Sequence, residues 1–264
     1  MRNERVIEGS NLSDAWGKAF LLAFSSGGPL LNLTVGFPVY GEDDGLFNSS
    51  QNENCQIRSA LDETLKLYQK HSVHTIANTI FPSFWDAKRP NDELYTRYMT
   101  MWPHLKKHNG NRNGTYFQRM IAYGLEANVA AETTVNQLKH VIETYTVEGN
   151  ARRSALSISI MNPFTDHTHQ RQRGFPCLQH VHFVPSETDN SLTITGIYST
   201  QLLLEKAYGN YLGLYRLGRF MAKNMGLKLA RVECNASRVN LFGDKDVSKS
   251  KLGNLKRFLE QNGA

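Results

Sequence analysis

The chain has 264 residues, 40% of them hydrophobic and 20% charged, with a formal net charge of +6. That balance describes a folded globular protein rather than a disordered tail, and the length suits one large α/β domain or two small ones. The apolar run Ala19 to Phe24 is far too short to span a bilayer, and it follows mixed charges (Arg2, Glu4, Arg5, Glu8, Asp14) rather than the basic stretch of a signal peptide.

In chain order, residues 11–24 read as a helix opened by Asn11 or Ser13, with Leu12, Trp16, Ala19, Phe20 and Ala23 on one face. Pro29 to Tyr40 reads as a strand alternating through Leu31, Leu33 and Val35 and ending at Pro38. Gly41 to Asn54 is polar and turn-rich, a surface loop, and Ile57 to Tyr68 is a second amphipathic helix. His74 to Phe81 is apolar and stops at Pro82. A charged loop, Asp86 to Asp92, precedes a helix through Leu94, Tyr95, Tyr98, Met99 and Trp102, and the polar loop His108 to Gly114 leads into Thr115–Met120. Thr134 to Tyr145 is a helix with Val135, Leu138, Val141, Ile142 and Tyr145 on one side.

Strands dominate the second half. Ala155 to Ile160 alternates as a half-buried strand does, Asn162 to Gly174 is a loop rich in His, Gln and Arg, and His180–Val184 and Leu192–Tyr198 are two further strands joined by a turn. Tyr208 to Asn224 is the longest helix, ended by Gly226; Leu227 to Cys234 is a strand and Gly253 to Glu260 a final helix. With no repeat and no glycine-rich linker, the expectation is a single α+β domain over residues 1–264.

Several function classes lose support. The basic tail (Lys245, Lys249, Lys251, Lys256, Arg257) fits a nucleic-acid-facing patch or a solvated helix face, but no aromatics interleave with it and no helix-turn-helix or zinc-finger spacing accompanies it. Phosphate-cradling GxGxxG or Walker loops, a CxxC pair and HExxH are all absent. The pairs His71/His74, His167/His169 and His180/His182 lack a third ligand at a telling spacing, so no metal is expected. Three cysteines (Cys55, Cys177, Cys234) leave one unpaired in any scheme, which suggests no disulfide framework and makes a reducing cytoplasm the natural compartment.

Cys177 carries the most chemistry. It closes the turn Gly174-Phe175-Pro176 directly before the alternating stretch from His180, and Arg152-Arg153 stand upstream at the head of another strand-like stretch. A thiol at the mouth of a strand with permanent cations nearby suits covalent work on an anion, because the thiolate is the reactive form and positive charge favours it. The competing reading is a small buried hydrophobe. Arg152 and Arg153 suit bidentate phosphate binding, or are two solvated strand-end charges.

One series of landmarks is collinear: Asn136-Gln137-Leu138, Ala151-Arg152-Arg153-Ser154, Met161-Asn162-Pro163, Pro176-Cys177, then two strands, a long helix and a strand. Over roughly residues 114–241, where Gly114-Thr115-Tyr116 and Arg119 also fit, this resembles the thymidylate synthase family, including its pyrimidine hydroxymethylase relatives. The resemblance implies an α+β sandwich with a mixed sheet backed by a long buried helix, and a homodimer. It implies that Cys177 adds to C6 of a pyrimidine nucleotide monophosphate so that C5 can take a one-carbon unit from methylenetetrahydrofolate. Arg152 and Arg153 would hold the phosphate across the dimer interface. Asn210 would read the pyrimidine edge, although counting forward from Tyr198 puts Tyr211 there and a helix N-cap is the other reading of Asn210. Arg238 and Asn240 stand where the family holds the sugar.

The departures matter as much. Ser199-Thr200-Gln201 replaces Gln-Arg-Ser and removes a phosphate-binding arginine, and the folate-anchoring aspartate falls at Leu203. Leu178 follows the cysteine in place of histidine, and the segment where the proton-transferring glutamate should lie, Ile76 to Ile80, offers no acid. Two functions are therefore carried forward: a thymidylate synthase-like transferase acting on C5, and a catalytically altered nucleotide-binding protein, a sensor or partner subunit, on the same scaffold.

Overall fold

The computed structural model describes residues 5–40, 53–85, 88–127, 133–147, 152–169, 176–243 and 247–263. Among them are nine α-helices and six strands. The first half contributes β1 (Val6–Glu8), α1 (Leu12–Ser25), β2 (Leu30–Pro38), α2 (Glu53–Leu67), α3 (Val73–Ile80), α4 (Asn91–Leu105), α5 (Tyr116–Ile121) and α6 (Gln137–Val147). The second half contributes β3 (Ser157–Ser159), α7 (Pro163–Asp166), β4 (Leu178–Ser186), β5 (Ser191–Leu202), α8 (Tyr208–Asn224), β6 (Lys228–Asn240) and α9 (Gly253–Gln261).

The strands form one mixed sheet in the order β1-β2-β6-β5-β4-β3. Two pairings, β1–β2 and β5–β6, are parallel and the remaining three are antiparallel. The parallel β5–β6 pair requires a crossover, and α8 supplies it. The result is an α+β sandwich in which α8 is the central layer element: Leu214, Leu217, Phe220 and Met221 are fully buried. Local signals account for the ends of several helices. Asn11 caps α1 by accepting the Asp14 N–H, and Gly226 at φ 71° ends the turn after α8, where only a residue without Cβ sits free of strain. Trp16 and Phe20, both 0% exposed, project from α1 into the core, where each such side chain contributes about 1.5–3 kcal/mol by leaving water.

Gly209 and Gly213 let α8 approach α3 closely. A Cβ at Gly209 would lie 2.5 Å from Ile76 Cβ and 2.8 Å from the Val73 carbonyl oxygen; at Gly213 it would lie 2.7 Å from Ile80 Cβ. A branched side chain and a backbone carbonyl cannot yield cheaply. Gly209→Ala is therefore expected to destabilise by about 1–3 kcal/mol, despite the gain of up to about 1 kcal/mol in helix propensity. Urea unfolding of the variant beside wild type reads the difference, and an unchanged midpoint would contradict the close packing of these two helices.

Several sequence expectations are corrected at their edges. The helix expected from Thr134 starts at Gln137, because Val135 exchanges backbone hydrogen bonds with Tyr123 in an isolated bridge. The strand expected over Ala155–Ile160 shrinks to Ser157–Ser159, since a 3-10 turn takes Arg153–Ala155. β6 runs on to Asn240 under cover of pairing on both sides. The loop expected to end at Asn54 gives way to α2 at Glu53; residues 41–52 lie outside the described set. β1, three residues long, is too short to show alternation in the sequence.

Candidate functional site

A cavity of about 390 Å³ opens where β4, β5, α8, α3 and α5 meet. Cys177, immediately before β4, forms part of its wall; its carbonyl accepts the Ser199 N–H at 2.9 Å, which ties it to β5. The Tyr116 hydroxyl oxygen accepts from the backbone N–H groups of Cys177 and Leu178 on the other side. β5 contributes Thr200, Gln201 and Leu202, α3 contributes Ile76 and Thr79, and α8 contributes Asn210.

Between β5 and α8 the chain makes a π-helical turn, Leu203–Ala207. Such wide turns are rare and recur at functional sites. Trp16 steadies this one by donating its indole N–H to the Leu203 carbonyl at 2.9 Å. The turn sorts two adjacent charges. Glu205 is buried, with Oε1 accepting the Gly243 N–H at 2.9 Å, while Lys206 is exposed and lines the cavity.

The position of Asn210 decides two open points. It lies inside α8 rather than at its cap, which is Ala207 with no side-chain capping bond, so the N-cap reading is excluded. Tyr211 is 0% exposed and spends its hydroxyl on Gln201 Oε1 at 3.2 Å, whereas Asn210 faces the cavity. The Asn210 amide is 4% exposed and has no hydrogen-bond partner among the described residues. Its amide atoms are not sealed in the protein but open to the cavity, where a ligand or water can pair with them.

Electrostatically the cavity is one-sided. Among the described residues no carboxylate lines it, while Lys206 and Arg119 do. Arg119 is already neutralised by Asp166, at 2.5 and 2.9 Å. Burial pushes the Cys177 thiol above its ordinary pKa and the Lys206 ammonium pulls it back. Burial lowers the Lys206 pKa, with Glu205 and Cys177 opposing that and Lys70 adding to it. Cys234 is a different kind of thiol: wholly enclosed, pushed up to about 12 by burial, and held by the Gln201 amide at 3.3 Å.

The other sequence candidates lie elsewhere. Arg152 and Arg153 are exposed on the 3-10 turn before β3, and Arg153 pairs with Glu187 at 2.7 Å. Glu187 follows β4 whereas Cys177 precedes it, so the nine-residue strand places them roughly 30 Å apart. The nearness in sequence of the arginines to Cys177 is thus not nearness in this protomer. The antiparallel register Ser157↔His182 is what carries them to the far end. Arg238 and Asn240 on β6 sit opposite Thr200 and Leu202, two cavity residues, but do not line the cavity themselves. His180 and His182 stack on the exposed face of β4 with ring centroids 6.4 Å apart. Among the described residues no group of three His, Cys, Asp or Glu side chains is placed to hold a metal ion. Sequence reasoning missed Lys206. The available signal was a charged Glu-Lys pair interrupting an apolar run at a strand-to-helix junction.

A thiol, an amide and a cation thus face one cavity of the α+β sandwich. No family model matches the chain. A curated relative from Methanocaldococcus jannaschii, described as "Putative thymidylate synthase", is 31% identical over 133 residues, which is 50% of this chain and 56% of that protein. The chain therefore spans just over half the length of the relative it matches, a distant thymidylate synthase-like relationship. No helix among the described residues is long and apolar enough to cross a membrane.

Proposed function

We propose that the cavity binds a pyrimidine nucleoside monophosphate and that Cys177 adds to C6 of its ring, activating C5 for one-carbon transfer in the manner of a thymidylate synthase-like transferase. The observation that carries this reading is the convergence of the Cys177 thiol and the unpartnered Asn210 amide on one cavity. Its volume of about 390 Å³ lies within the range of small-ligand sites.

The chemistry follows from these groups. The thiolate forms a C–S bond to C6, and the C5=C6 electron pair moves through C5 onto the C4 carbonyl of uracil as an enolate, or onto N3 of cytosine. The Asn210 amide, with a donor and an acceptor, matches the paired polar edge of the ring. C5 then takes an electrophile; loss of the C5 proton and expulsion of the thiolate restore the double bond. With Ile76 and Thr79 on the α3 wall and no carboxylate among the described cavity residues, protons would pass through water, which typically costs about 10²–10⁴-fold in rate.

A folate donor finds a poor fit. Leu203, where the resemblance places the anchoring aspartate, is 0% exposed and its carbonyl is occupied by Trp16. The residues present do not supply that anchor. The separation of Arg152 and Arg153 from the protomer's own cavity accords with a homodimer in which they serve the partner's ligand.

The test needs no carbon donor. When water supplies the proton to C5, reversal can remove either hydrogen, so C5–H exchanges with solvent. Proton NMR of deoxyuridine and deoxycytidine monophosphates in D2O with the protein should show loss of the C5 signal. Saturable binding without exchange, and without a mass increase on Cys177 from the 5-fluoro analogues, would instead establish the second reading, a non-catalytic nucleotide sensor or partner subunit, which the lack of a cavity carboxylate among the described residues favours. No binding at all would overturn both.

A further inference from the structure

We propose that Lys206 is the cation that favours the Cys177 thiolate against the cost of burial, so that the pair, rather than the cysteine alone, is the reactive unit of the cavity. The inference rests on the same cavity as the nucleotide reading but not on the identity of its ligand.

Position carries the argument. Lys206 and Cys177 reach one cavity from different elements, the π turn after β5 and the start of β4. The turn that brings Lys206 there sends its neighbour Glu205 into the protein, where its carboxylate is held by the Gly243 N–H and stays off the cavity wall. Glu205 still acts on the ammonium through space, but it forms no contact ion pair with it and leaves the cavity side of Lys206 free of a carboxylate. Lys206 makes no salt bridge to a described residue.

The other charged and titratable groups facing the thiol do not compete for the role. Arg119, from α5, is saturated by Asp166, the Ile160 carbonyl and the Asn113 carbonyl. Tyr116, from α5, and Tyr198, from β5, have hydroxyls pushed well up by burial and stay neutral. Arg152 and Arg153 are at the other end of β4. Among the described cavity residues Lys206 is the one cation left to balance an anion. Burial makes Cys177 a sluggish thiol, and an opposite charge on the same cavity works against that. The Asn210 amide faces the same cavity and is open to a ligand there.

Site-resolved alkylation by iodoacetamide, followed by mass spectrometry from neutral to alkaline pH, tests this without nucleotide. Lys206→Met and Lys206→Gln should slow Cys177 alkylation at neutral pH by about tenfold and move the profile up by about one pH unit, while Lys206→Arg stays within about threefold of wild type. Lys206 is exposed, so all three variants should fold, with circular dichroism as the check. If both neutral variants follow the wild-type profile, or slow equally at every pH, the inference is overturned. The two readings fail separately: slowed alkylation with no C5 exchange would sink the pyrimidine chemistry and leave Lys206 standing. Unchanged alkylation with C5 exchange would do the reverse.

Discussion

Asp166→Ala is expected to destabilise the protein by about 3–5 kcal/mol, the cost of stripping one partner from a buried ion pair. Arg119 and Asp166 are each 3% exposed at the side chain. Their contact is bidentate, at 2.5 and 2.9 Å, and each has further partners: Arg119 donates to the Ile160 carbonyl at 3.0 Å and the Asn113 carbonyl at 2.8 Å, and Asp166 accepts the Asn162 N–H at 2.8 Å. Removing the carboxylate leaves a largely buried, permanent guanidinium charge without its bidentate partner, which the two carbonyls cannot offset. The effect should reach the site, because Arg119 lines the main cavity and also a smaller adjoining one of about 150 Å³. A urea midpoint close to wild type would contradict the burial of this pair. The double variant Arg119→Met/Asp166→Leu should recover much of the loss, since two apolar groups of similar volume owe nothing to desolvation.

How much of this was legible in the sequence depends on which physical signal each feature leaves. The span of α8 was readable to the residue, because a long apolar stripe at helical spacing ends in a glycine that takes positive φ. β1 was not, since three residues carry no period and its pairing with β2 is a long-range fact. Cys177 and Asn210 could be brought to one site from collinear landmarks, though only the packing of Tyr211 into the core shows which of two neighbouring residues faces the cavity. Arg152 and Arg153 show the opposite case. Their separation along the chain from Cys177 is short, but antiparallel pairing of β3 with β4 converts it into the length of a strand. Lys206 left almost no trace, because a lysine at an element junction ordinarily reads as solvated. Only the π turn, which buries Glu205 and turns Lys206 to the cavity, distinguishes it. Local periodicity, then, is written in the chain, whereas the sorting of adjacent charges by an irregular turn is not.

Cys177→Ala should abolish the C5 exchange, a loss of at least about 10⁴-fold, because no other group in the cavity can take over a covalent addition. Cys234 cannot substitute: it is buried, its thiol is pushed up to about 12, and it is engaged by Gln201. The side chain of Cys177 is small and half-buried, so the variant should fold and still bind nucleotide, separating loss of chemistry from loss of the site. Binding with no exchange is the expected pair of results, and exchange at the wild-type rate would exclude the covalent route. The same variant addresses where the arginines act. Arg153→Ala leaves the cavity of its own protomer untouched, yet should weaken nucleotide binding if Arg153 serves a second copy. Mixing subunits of the two variants would then assemble some dimers in which an intact Cys177 meets an intact Arg153 across the interface. Random pairing would restore roughly a quarter of the sites in a closed two-fold dimer. Activity returning on mixing, from two preparations that lack or nearly lack it, would place one site across two chains; no return would confine Arg153 to its exposed pair with Glu187.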